Sequence, residues 1–253
     1  MYNDEYAATA AGAATKVGLL KKNPLGYFLL SALAGAYIGF GILLTLTVSG
    51  TMGAIPMTKI PMGLSFGIAL SLVIIAGAEL FTGNAFVLYN GWRSKTVTLT
   101  DVIRLWVVCC LGNWFGAIVL SLLFYGAAGT AGGGGQALAN AAAMKMSLPP
   151  LVLFLRGILC NVLVCLAVWC GFRCKSDSGK LIMVFWCLYA FFTCGFEHSV
   201  ANMTVLTLGL LNPAGTAVSV GGYLYNLFMV TLGNIVGAVL FLSIPYGIAA
   251  KKD

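Results

Sequence analysis

The sequence predicts an all-α membrane protein with six transmembrane helices in two inverted three-helix repeats, in which the second and fifth spans are broken. Three observations lead to this fold class: the hydrophobic content, the number of long apolar stretches and an internal repeat. Of the 253 residues, 60% are hydrophobic and 8% are charged, whereas a soluble domain carries roughly 25% charged residues. One globule of this size cannot bury so many apolar side chains, so a lipid bilayer is the expected solvent.

An interfacial helix is predicted for the segment 1–23, ahead of a membrane domain that covers residues 24–253. Asn3 or Asp4 can cap this helix, and its lysines lie toward the carboxyl end, where they complement the helix dipole. The proline at position 24 stops it. The acidic start of the chain differs from a cleavable signal peptide, which begins with basic residues and continues into an apolar core.

Six long apolar stretches follow, each sufficient for the ~20 residues that a bilayer core requires. They cover approximately residues 25–49, 62–92, 101–126, 149–172, 181–210 and 218–248. With six spans, most basic residues fall on one side: Lys16, Lys21, Lys22, Arg93, Lys95, Arg104, Arg173, Lys175, Lys180, Lys251 and Lys252. Lys59 and Lys145 fall on the other side, and Arg156 lies within the fourth stretch. The positive-inside rule therefore predicts that both termini are cytoplasmic.

The second and fifth stretches are too long for simple helices, and each is interrupted near its middle. The interruptions are Glu79-Leu80-Phe81-Thr82-Gly83-Asn84 and Gly195-Phe196-Glu197-His198-Ser199. Paired broken helices are typical of transporters with repeated halves. Because a break leaves backbone groups unpaired, it is tolerated in a bilayer only where it faces protein or a water-filled path.

An internal repeat supports this interpretation. Leu111-Gly112-Asn113-Trp114-Phe115-Gly116-Ala117 resembles Leu232-Gly233-Asn234-Ile235-Val236-Gly237-Ala238 at an offset of 121 residues. The glutamates of the two interruptions are 118 residues apart, which is nearly the same offset. The first repeat is predicted over about 24–130 and the second over about 149–250, joined near the glycines at 132–135. With three spans in each half, the second half is inverted relative to the first.

The candidate functional residues lie at the interruptions. His198 is the only histidine of the chain and is next to Glu197, and Thr82 adds a hydroxyl to the other interruption. Ionisable groups at such a depth usually face a cavity or a partner, so these residues are predicted to line a pore. A hydrogen-bonded structural histidine is the alternative for His198. Lys145, a lone cation in an uncharged stretch, is predicted to attract anions, with an ordinary loop lysine as the alternative.

Two further sets of residues are expected to support the pore. Four large apolar side chains close to the interruptions in sequence are expected to form constrictions of the pore: Phe66, Leu70, Leu80 and Phe191. Four asparagines within the spans are expected to form interhelical hydrogen bonds that hold the bundle together: Asn113, Asn161, Asn226 and Asn234.

Composition argues against several other functions. The sequence contains no cluster of five or more basic residues, so no nucleic-acid partner is expected. The eight cysteines fall mostly in apolar runs and are expected to be packing residues. A single histidine supports neither a zinc site nor a haem site with two axial histidines, so no cofactor, metal or enzymatic activity is expected. Two alternatives remain: a membrane redox protein that uses the cysteines, and a water or glycerol channel. The aquaporin tripeptide Asn212-Pro213-Ala214 occurs once and lies outside both interruptions, which argues against the water or glycerol channel.

Nearly the whole sequence resembles the formate/nitrite transporter family. The residues that carry the resemblance are Asn23-Pro24-Leu25-Gly26, Ala34-Gly35-Ala36-Tyr37-Ile38-Gly39, Glu79-Leu80-Phe81-Thr82-Gly83-Asn84, Leu159-Cys160-Asn161-Val162-Leu163-Val164-Cys165-Leu166-Ala167 and Gly195-Phe196-Glu197-His198-Ser199-Val200-Ala201-Asn202-Met203. These details are most similar to the nitrite-channel branch, and the hydrosulfide branch is next. The resemblance implies an aquaporin-like protomer, a homopentamer with one pore in each protomer, and passage of nitrite, formate or hydrosulfide.

The resemblance also implies roles for individual residues. His198 and Glu197 match the family's central histidine and the glutamate next to it. Thr82 matches the threonine of the family's first helix break, and Lys145 matches its vestibule lysine. Four residues match its apolar constrictions, with Leu80 and Phe191 expected on the outer side and Phe66 and Leu70 on the inner side.

A mechanism follows as a hypothesis. A bare anion would pay a large desolvation cost in the apolar constrictions, so it is expected to gain a proton from or through His198 and to cross as the neutral acid. Glu197 is expected to orient His198. Thr82 is expected to hydrogen-bond the substrate or the histidine, so Thr82 and His198 should face each other across a narrow chamber.

Overall fold

The computed structural model describes residues 2–53, 55–128 and 135–250, and within these ranges the chain forms helices and no strands. The helices are α1 (Asn3–Lys22), α2 (Pro24–Met52), α3 (Lys59–Ala76), α4 (Phe81–Arg93), α5 (Leu99–Ala128), α6 (Gly135–Ser147), α7 (Pro150–Arg173), α8 (Asp177–Thr193), α9 (Ser199–Leu211), α10 (Val220–Ala238) and α11 (Ile244–Ala249). A 3₁₀ turn covers Pro56–Thr58, and a π segment, Val239–Ser243, joins α10 to α11. Lys251, Lys252 and most of the predicted glycine connection lie outside the described residues.

The protein is an integral membrane protein, since several of its helices have the length and composition of membrane spans. Five described segments are long and apolar enough to cross a membrane: Pro24–Met52, Pro56–Ala76, Leu99–Ala127, Pro150–Arg173 and Val220–Ala249. The remaining predicted span corresponds to α8 and α9, which have 17 and 13 residues. Each is shorter than the ~20 residues that a bilayer core requires.

A helix break is present at both predicted interruptions, but the first lies slightly earlier than predicted: only Glu79 and Leu80 of that stretch are outside a helix. α3 ends before Gly77, whose φ of 78° is left-handed, and α4 begins at Phe81. α8 ends at Thr193, Gly195 has a φ of 73°, and α9 begins at Ser199. Glycine adopts this conformation without a Cβ penalty and is common just after the end of a helix. A glycine in an apolar run therefore redirects the chain at each break.

Close helix packing places the breaks at the centre of the bundle. Gly116 of α5 lies so near α2 that a Cβ there would overlap the carbonyl of Ala32, and Gly237 of α10 stands in the same relation to Ile158 of α7. The first residues of α4 and nearly all of α9 are buried on every side. A helix buried on all faces belongs to the interior of a bundle, so the two short helices after the breaks form its core.

The amino-terminal helix α1 begins as expected but is not capped as expected. Neither Asn3 nor Asp4 occupies its N-cap, because the helix starts one residue earlier, with Tyr2 in that position. The Tyr2 ring packs against Trp169 and Tyr246. These aromatic contacts hold the start of α1 in place of a side-chain cap.

Candidate functional site

The two helix breaks bring Thr82 and His198 together in the interior. Thr82 Oγ1 lies 2.9 Å from His198 Nε2, although the residues are 116 positions apart in sequence. Both side chains are buried. The contact expected between the two interruptions is therefore present.

The hydrogen bonds of His198 define which ring nitrogen carries the proton of the neutral ring. His198 is the N-cap of α9, and its Nδ1 accepts a hydrogen bond from the backbone N–H of Ala201 at 3.1 Å. A backbone N–H only donates, so Nδ1 is the acceptor and the proton of the neutral ring is on Nε2. Nε2–H then donates to Thr82 Oγ1, and Thr82 keeps its own hydroxyl proton for another acceptor.

A small apolar cavity adjoins this pair. It has a volume of about 10 Å³, and its lining comprises Ile38, Phe66, Leu70, Leu80, Val164, Leu188, Phe191 and His198. A cavity needs roughly 10–15 Å³ to hold one water, so at most a single water fits here. The Phe66 and Phe191 rings meet edge to face with centroids 5.5 Å apart, and Phe191 stacks on His198 at 5.9 Å.

A larger cavity of about 460 Å³ lies on one side of this narrow region. Its lining includes Lys16 and Lys180, which belong to the end predicted to be cytoplasmic, together with Leu70 and Leu80. Leu70 and Leu80 therefore separate this cavity from the small one, which both of them also line.

The expected grouping of the four apolar residues is wrong. Phe66 contacts Phe191, and Leu80 lies with Leu70 on the Lys16 side. The physical reason is chain connectivity: Leu80 directly follows Glu79, whose carboxylate is held by Lys16, so Leu80 cannot lie at the opposite end.

At the first break, the Glu79 carboxylate is the centre of a hydrogen-bond network. Lys16 Nζ of α1 donates to both carboxylate oxygens at 2.7 Å. Asn84 Nδ2 and the Tyr27 hydroxyl also donate to it, at 2.8 and 3.2 Å. Three residues from three helices therefore satisfy one buried charge at the break.

At the second break, Glu197 is held in the same manner. Lys145 Nζ of α6 donates to its two oxygens at 2.8 and 2.9 Å, and Asn202 Nδ2 donates at 2.6 Å. Asn226 accepts from Asn202 and donates to the carbonyl of Lys145. Lys145 thus lies on a helix rather than in a loop, and its charge is neutralised by Glu197.

The expectation that Glu197 orients His198 is not met by the described contacts. The Glu197 carboxylate is engaged by Lys145 and Asn202, whereas the His198 ring is fixed by Ala201 and Thr82. The reason is local: Glu197 precedes the N-cap, and its side chain points to α6 instead of to the ring beside it.

Two of the predicted asparagines satisfy the backbone that the breaks leave unpaired. Asn113 accepts from the N–H of Phe81 at 2.9 Å and donates to the carbonyl of Glu79 at 2.8 Å. Asn234 accepts from the N–H of Ser199 at 2.9 Å and donates to the carbonyl of Glu197 at 3.0 Å. Bilayer cannot satisfy such groups, so each asparagine stabilises one break.

Asn161 connects the two breaks. Its Nδ2 donates to the carbonyl of Thr82 at 3.2 Å and to the carbonyl of Asn234 at 2.7 Å. The asparagines expected to form interhelical hydrogen bonds therefore do so, and three of them do it at the breaks themselves.

Sequence reasoning missed four members of these networks: Lys16, Tyr27, Asn84 and Asn202. Each asparagine follows its glutamate by five residues, in Glu79-Leu80-Phe81-Thr82-Gly83-Asn84 and in the stretch from Glu197 to Asn202. This shared spacing is visible in the sequence and could have identified both asparagines. Lys16 carries no comparable signal, because it lies 63 residues from Glu79.

A bundle of membrane-length helices, with two broken helices whose tips meet at a buried polar pair between apolar residues, defines a membrane transport protein. A model of the family described as "Formate/nitrite transporter" matches residues 4–248. The chain belongs to the formate/nitrite transporter family, whose members are channels and transporters rather than enzymes.

Characterised members of the family are similar to this chain over almost their whole length. The chain is 38% identical over 260 residues to the nitrite transporter NirC of Salmonella typhimurium, covering 100% of this chain and 94% of that protein. It is 29% identical over 270 residues to the formate channel FocA of Escherichia coli, covering 97% of this chain and 94% of that protein.

Solved structures of the same family have the same fold as this chain. A structure titled "FNT family ion channel" superimposes with a TM-score of 0.93 at 38% identity and covers 98% of this chain. A pentameric formate channel with formate bound superimposes with a TM-score of 0.80 at 30% identity and covers 92%.

Proposed function

We propose that this chain conducts small monovalent anions of weak acids across a membrane, with nitrite as its main substrate. The observation that carries the proposal is the Thr82–His198 contact between the tips of two broken helices, next to a cavity of about 10 Å³. Nitrite is preferred because relatives named as nitrite transporters are 38% identical, against 29% for the formate channel of Escherichia coli. Formate is the second candidate, since a probable formate transporter of Methanothermobacter thermautotrophicus is 35% identical.

The proposed architecture is six spans in two inverted repeats. The matching networks support it: Glu79 and Glu197 each bind a lysine and an asparagine five residues later, and Asn113 and Asn234 each bridge the backbone of one break. The lysines come from α1 and α6, which precede α2 and α7. We therefore extend each proposed repeat by one helix, so that α1 begins the first repeat and α6 begins the second.

The charge distribution explains how an anion reaches the chamber. An unpaired carboxylate at either break would repel an anion, but Lys16 and Lys145 neutralise Glu79 and Glu197. The amino ends of α4 and α9 meet at the chamber and carry partial positive charge. The chamber therefore offers hydrogen-bond donors without a nearby net negative charge.

The hydrogen-bond geometry restricts the part played by His198. Nε2–H and the hydroxyl of Thr82 are the donors beside the small cavity, which holds at most one water and must therefore widen before an anion can enter it. Nδ1 is occupied by the N–H of Ala201, so a proton cannot pass through the ring from one nitrogen to the other without breaking the cap. Any proton that the anion takes from His198 leaves from Nε2 and is replaced at Nε2.

The proposed assembly is a homopentamer in a cell membrane with both termini in the cytoplasm. The pentameric formate channel, which superimposes over 92% of this chain, supports the assembly. Many large apolar side chains are exposed on the outer faces of α2, α5 and α10, as lipid or a neighbouring protomer requires. The basic residues at the Lys16 end support the orientation.

The test of the mechanism is nitrite uptake into proteoliposomes as a function of pH, with the variant His198→Asn. Asparagine is a good N-cap, so its carbonyl oxygen can keep the bond to the N–H of Ala201 while the titratable ring is removed. A changed pH profile in a correctly folded variant is expected. An unchanged rate and pH profile would exclude proton transfer by His198, and His198→Leu, which also removes the cap, is the control for structural damage.

The test of the substrate is a comparison of nitrite, formate and hydrosulfide fluxes in the same vesicles. Nitrate serves as the control anion, because its conjugate acid is strong and cannot form in the chamber. Nitrite flux above formate and hydrosulfide flux is expected, with little nitrate flux. Faster formate flux would assign the chain to formate instead, and equal nitrate flux would exclude the neutral-acid mechanism.

A further inference from the structure

An apolar groove opens on the outer surface of the bundle, away from the chamber and its two networks. Its volume is about 360 Å³, and it lies between α4 and α5 on one side and the carboxyl end of α10 with the π segment on the other. The side chains that form it include Tyr89, Trp92, Val102, Trp106, Val236 and Leu240. The groove thus offers a long apolar surface at the junction of the two halves of the chain.

The shape of the groove depends on the π segment. Pro245 has no N–H to donate to the carbonyl four residues earlier, and its ring crowds that carbonyl. The helix accommodates this through the wider turn at Val239–Ser243. Val239 and Leu240, which belong to this turn, line the groove. The irregularity therefore has a local cause and contributes directly to a surface cavity.

A polar pocket of about 330 Å³ adjoins the groove. Its lining consists of Trp92, Lys95, Thr96, Val97, Thr98 and Asp101, so Trp92 belongs to both cavities. Tryptophan and tyrosine are enriched where the apolar bilayer core meets its polar headgroups. The edge-to-face pair of Tyr89 and Trp92, with centroids 5.5 Å apart, stands at such a boundary.

The charge around the polar pocket is positive. Lys95 is exposed in its wall, and Arg104 is exposed one helical turn after Asp101. The Asp101 carboxylate is already neutralised by Lys21, whose Nζ lies 2.7 Å away. Lys95 and Arg104 therefore remain as cations without a partner among the ion pairs of the described residues.

Lys95 occupies a backbone position that suits a glycine. Its φ is 60°, and the N–H of Lys95 and of Thr96 bond back to the carbonyls of Trp92 and Gly91 to end α4. Glycine adopts this left-handed conformation without strain, whereas lysine does not. The lysine charge complements the carboxyl end of α4, but its backbone conformation is one that glycine would adopt with less strain.

We propose that the groove and the polar pocket together bind one anionic phospholipid of the membrane leaflet at the Lys16 end. An acyl chain lies in the groove against Trp106 and Val236, and the phosphate lies in the pocket near Lys95 and Arg104. The apolar groove, the aromatic boundary and the cationic pocket follow one another in the order of the parts of a lipid. A zwitterionic lipid satisfies the groove but gains less from the cations, so the site prefers a net negative headgroup.

Two variants test the proposal on the full-length purified protein. Lys95→Gly removes the charge and relaxes the turn. Val236→Trp fills the groove, and Leu224→Trp, at a half-exposed position of the same helix outside the groove, is its matched control. Native mass spectrometry measures binding of phosphatidylglycerol and of phosphatidylcholine, and the same spectra report the oligomeric state.

Wild-type protein is expected to bind phosphatidylglycerol more tightly than phosphatidylcholine. Lys95→Gly should lose about fivefold in affinity for phosphatidylglycerol, the effect of one cation near an anionic surface, without loss of thermal stability in detergent. Val236→Trp should abolish the bound lipid, and Leu224→Trp should not. Equal affinity for the two lipids, or unchanged binding in Val236→Trp, would overturn the proposal. Dissociation of the oligomer in Val236→Trp with lipid binding intact would show that a neighbouring protomer occupies the groove.

Discussion

The two lysine–glutamate pairs allow one perturbation to be compared at two equivalent places. In the pair Lys145–Glu197 the side chains are 18% and 3% exposed, and in Lys16–Glu79 they are 23% and 11% exposed. Removing one partner of a buried ion pair leaves an uncompensated charge and costs about 3–5 kcal/mol. Exposed pairs contribute only about 0–1 kcal/mol. The cost of losing the lysine should therefore follow the burial of the glutamate.

We expect Lys145→Met to be more destabilising than Lys16→Met. Glu197 is almost completely buried, so Lys145→Met should cost about 3 kcal/mol, the lower end of the range for buried pairs because the lysine is partly exposed. Lys16→Met, which breaks the more exposed pair, should cost roughly 1–2 kcal/mol of stability, a value between the ranges for surface and buried pairs. A loss of about 3 kcal/mol corresponds to a decrease in the unfolding midpoint of roughly 6–12 °C for a chain of this size.

The assay is thermal unfolding of the purified protein, followed by tryptophan fluorescence. The second substitution Glu197→Gln is the control: it removes the stranded charge but can still accept from Asn202, so the double variant should recover most of the lost stability. A Lys16→Met variant that is as unstable as Lys145→Met would refute the argument from burial. A double variant no more stable than Lys145→Met alone would show that lysine packing, rather than charge, sets the cost.

Two predictions concern the helix contacts that support the breaks. Gly116→Ala should lower the unfolding midpoint by overpacking worth about 1–3 kcal/mol, because the new Cβ overlaps the carbonyl of Ala32, whereas Gly126→Ala on the same helix meets no atom within 4 Å and should cause no loss. Asn234→Ala leaves the buried N–H of Ser199 without its acceptor, so it should cost about 1–3 kcal/mol and also lower nitrite flux by displacing His198; unchanged flux would mean that α9 holds its position without Asn234.

The helix breaks could be predicted from sequence because their causes are local. A glycine and an acid interrupt an apolar run in both stretches. Gly195 adopts a left-handed conformation as part of the predicted interruption, whereas the left-handed glycine of the first break is Gly77, and the predicted Gly83 lies in α4. The contact of Thr82 with His198 was also expected, since the two breaks of the predicted repeat were interpreted as the walls of one pore. Such inferences need only the pattern and the repeat.

The partners of the charged residues could not be predicted in the same way. Lys145 was expected to attract anions, and the structure places it 2.8 Å from Glu197. The pairing of Lys16 with Glu79 depends on how α1 packs across 63 residues of intervening chain. The grouping of Leu80 with Leu70 depends on the direction in which the chain leaves the first break. Long-range packing decides each of these points, and no local pattern encodes it.

The positions of the charges have a consequence for selectivity. We infer that both glutamates are neutralised away from the chamber, so that the donors that the described residues offer there are dipolar: Nε2–H of His198, the hydroxyl of Thr82 and the amino ends of two helices. Dipoles attract an anion over a short range without holding it as tightly as a fixed cation would. A lysine inside the chamber would bind the anion and slow its release. A lysine that is paired with a glutamate at each break still allows the chamber to attract an anion, but it does not prevent the anion from leaving. We therefore propose that the ion pairs act on the chamber by cancelling the charge of the carboxylates rather than by binding the substrate.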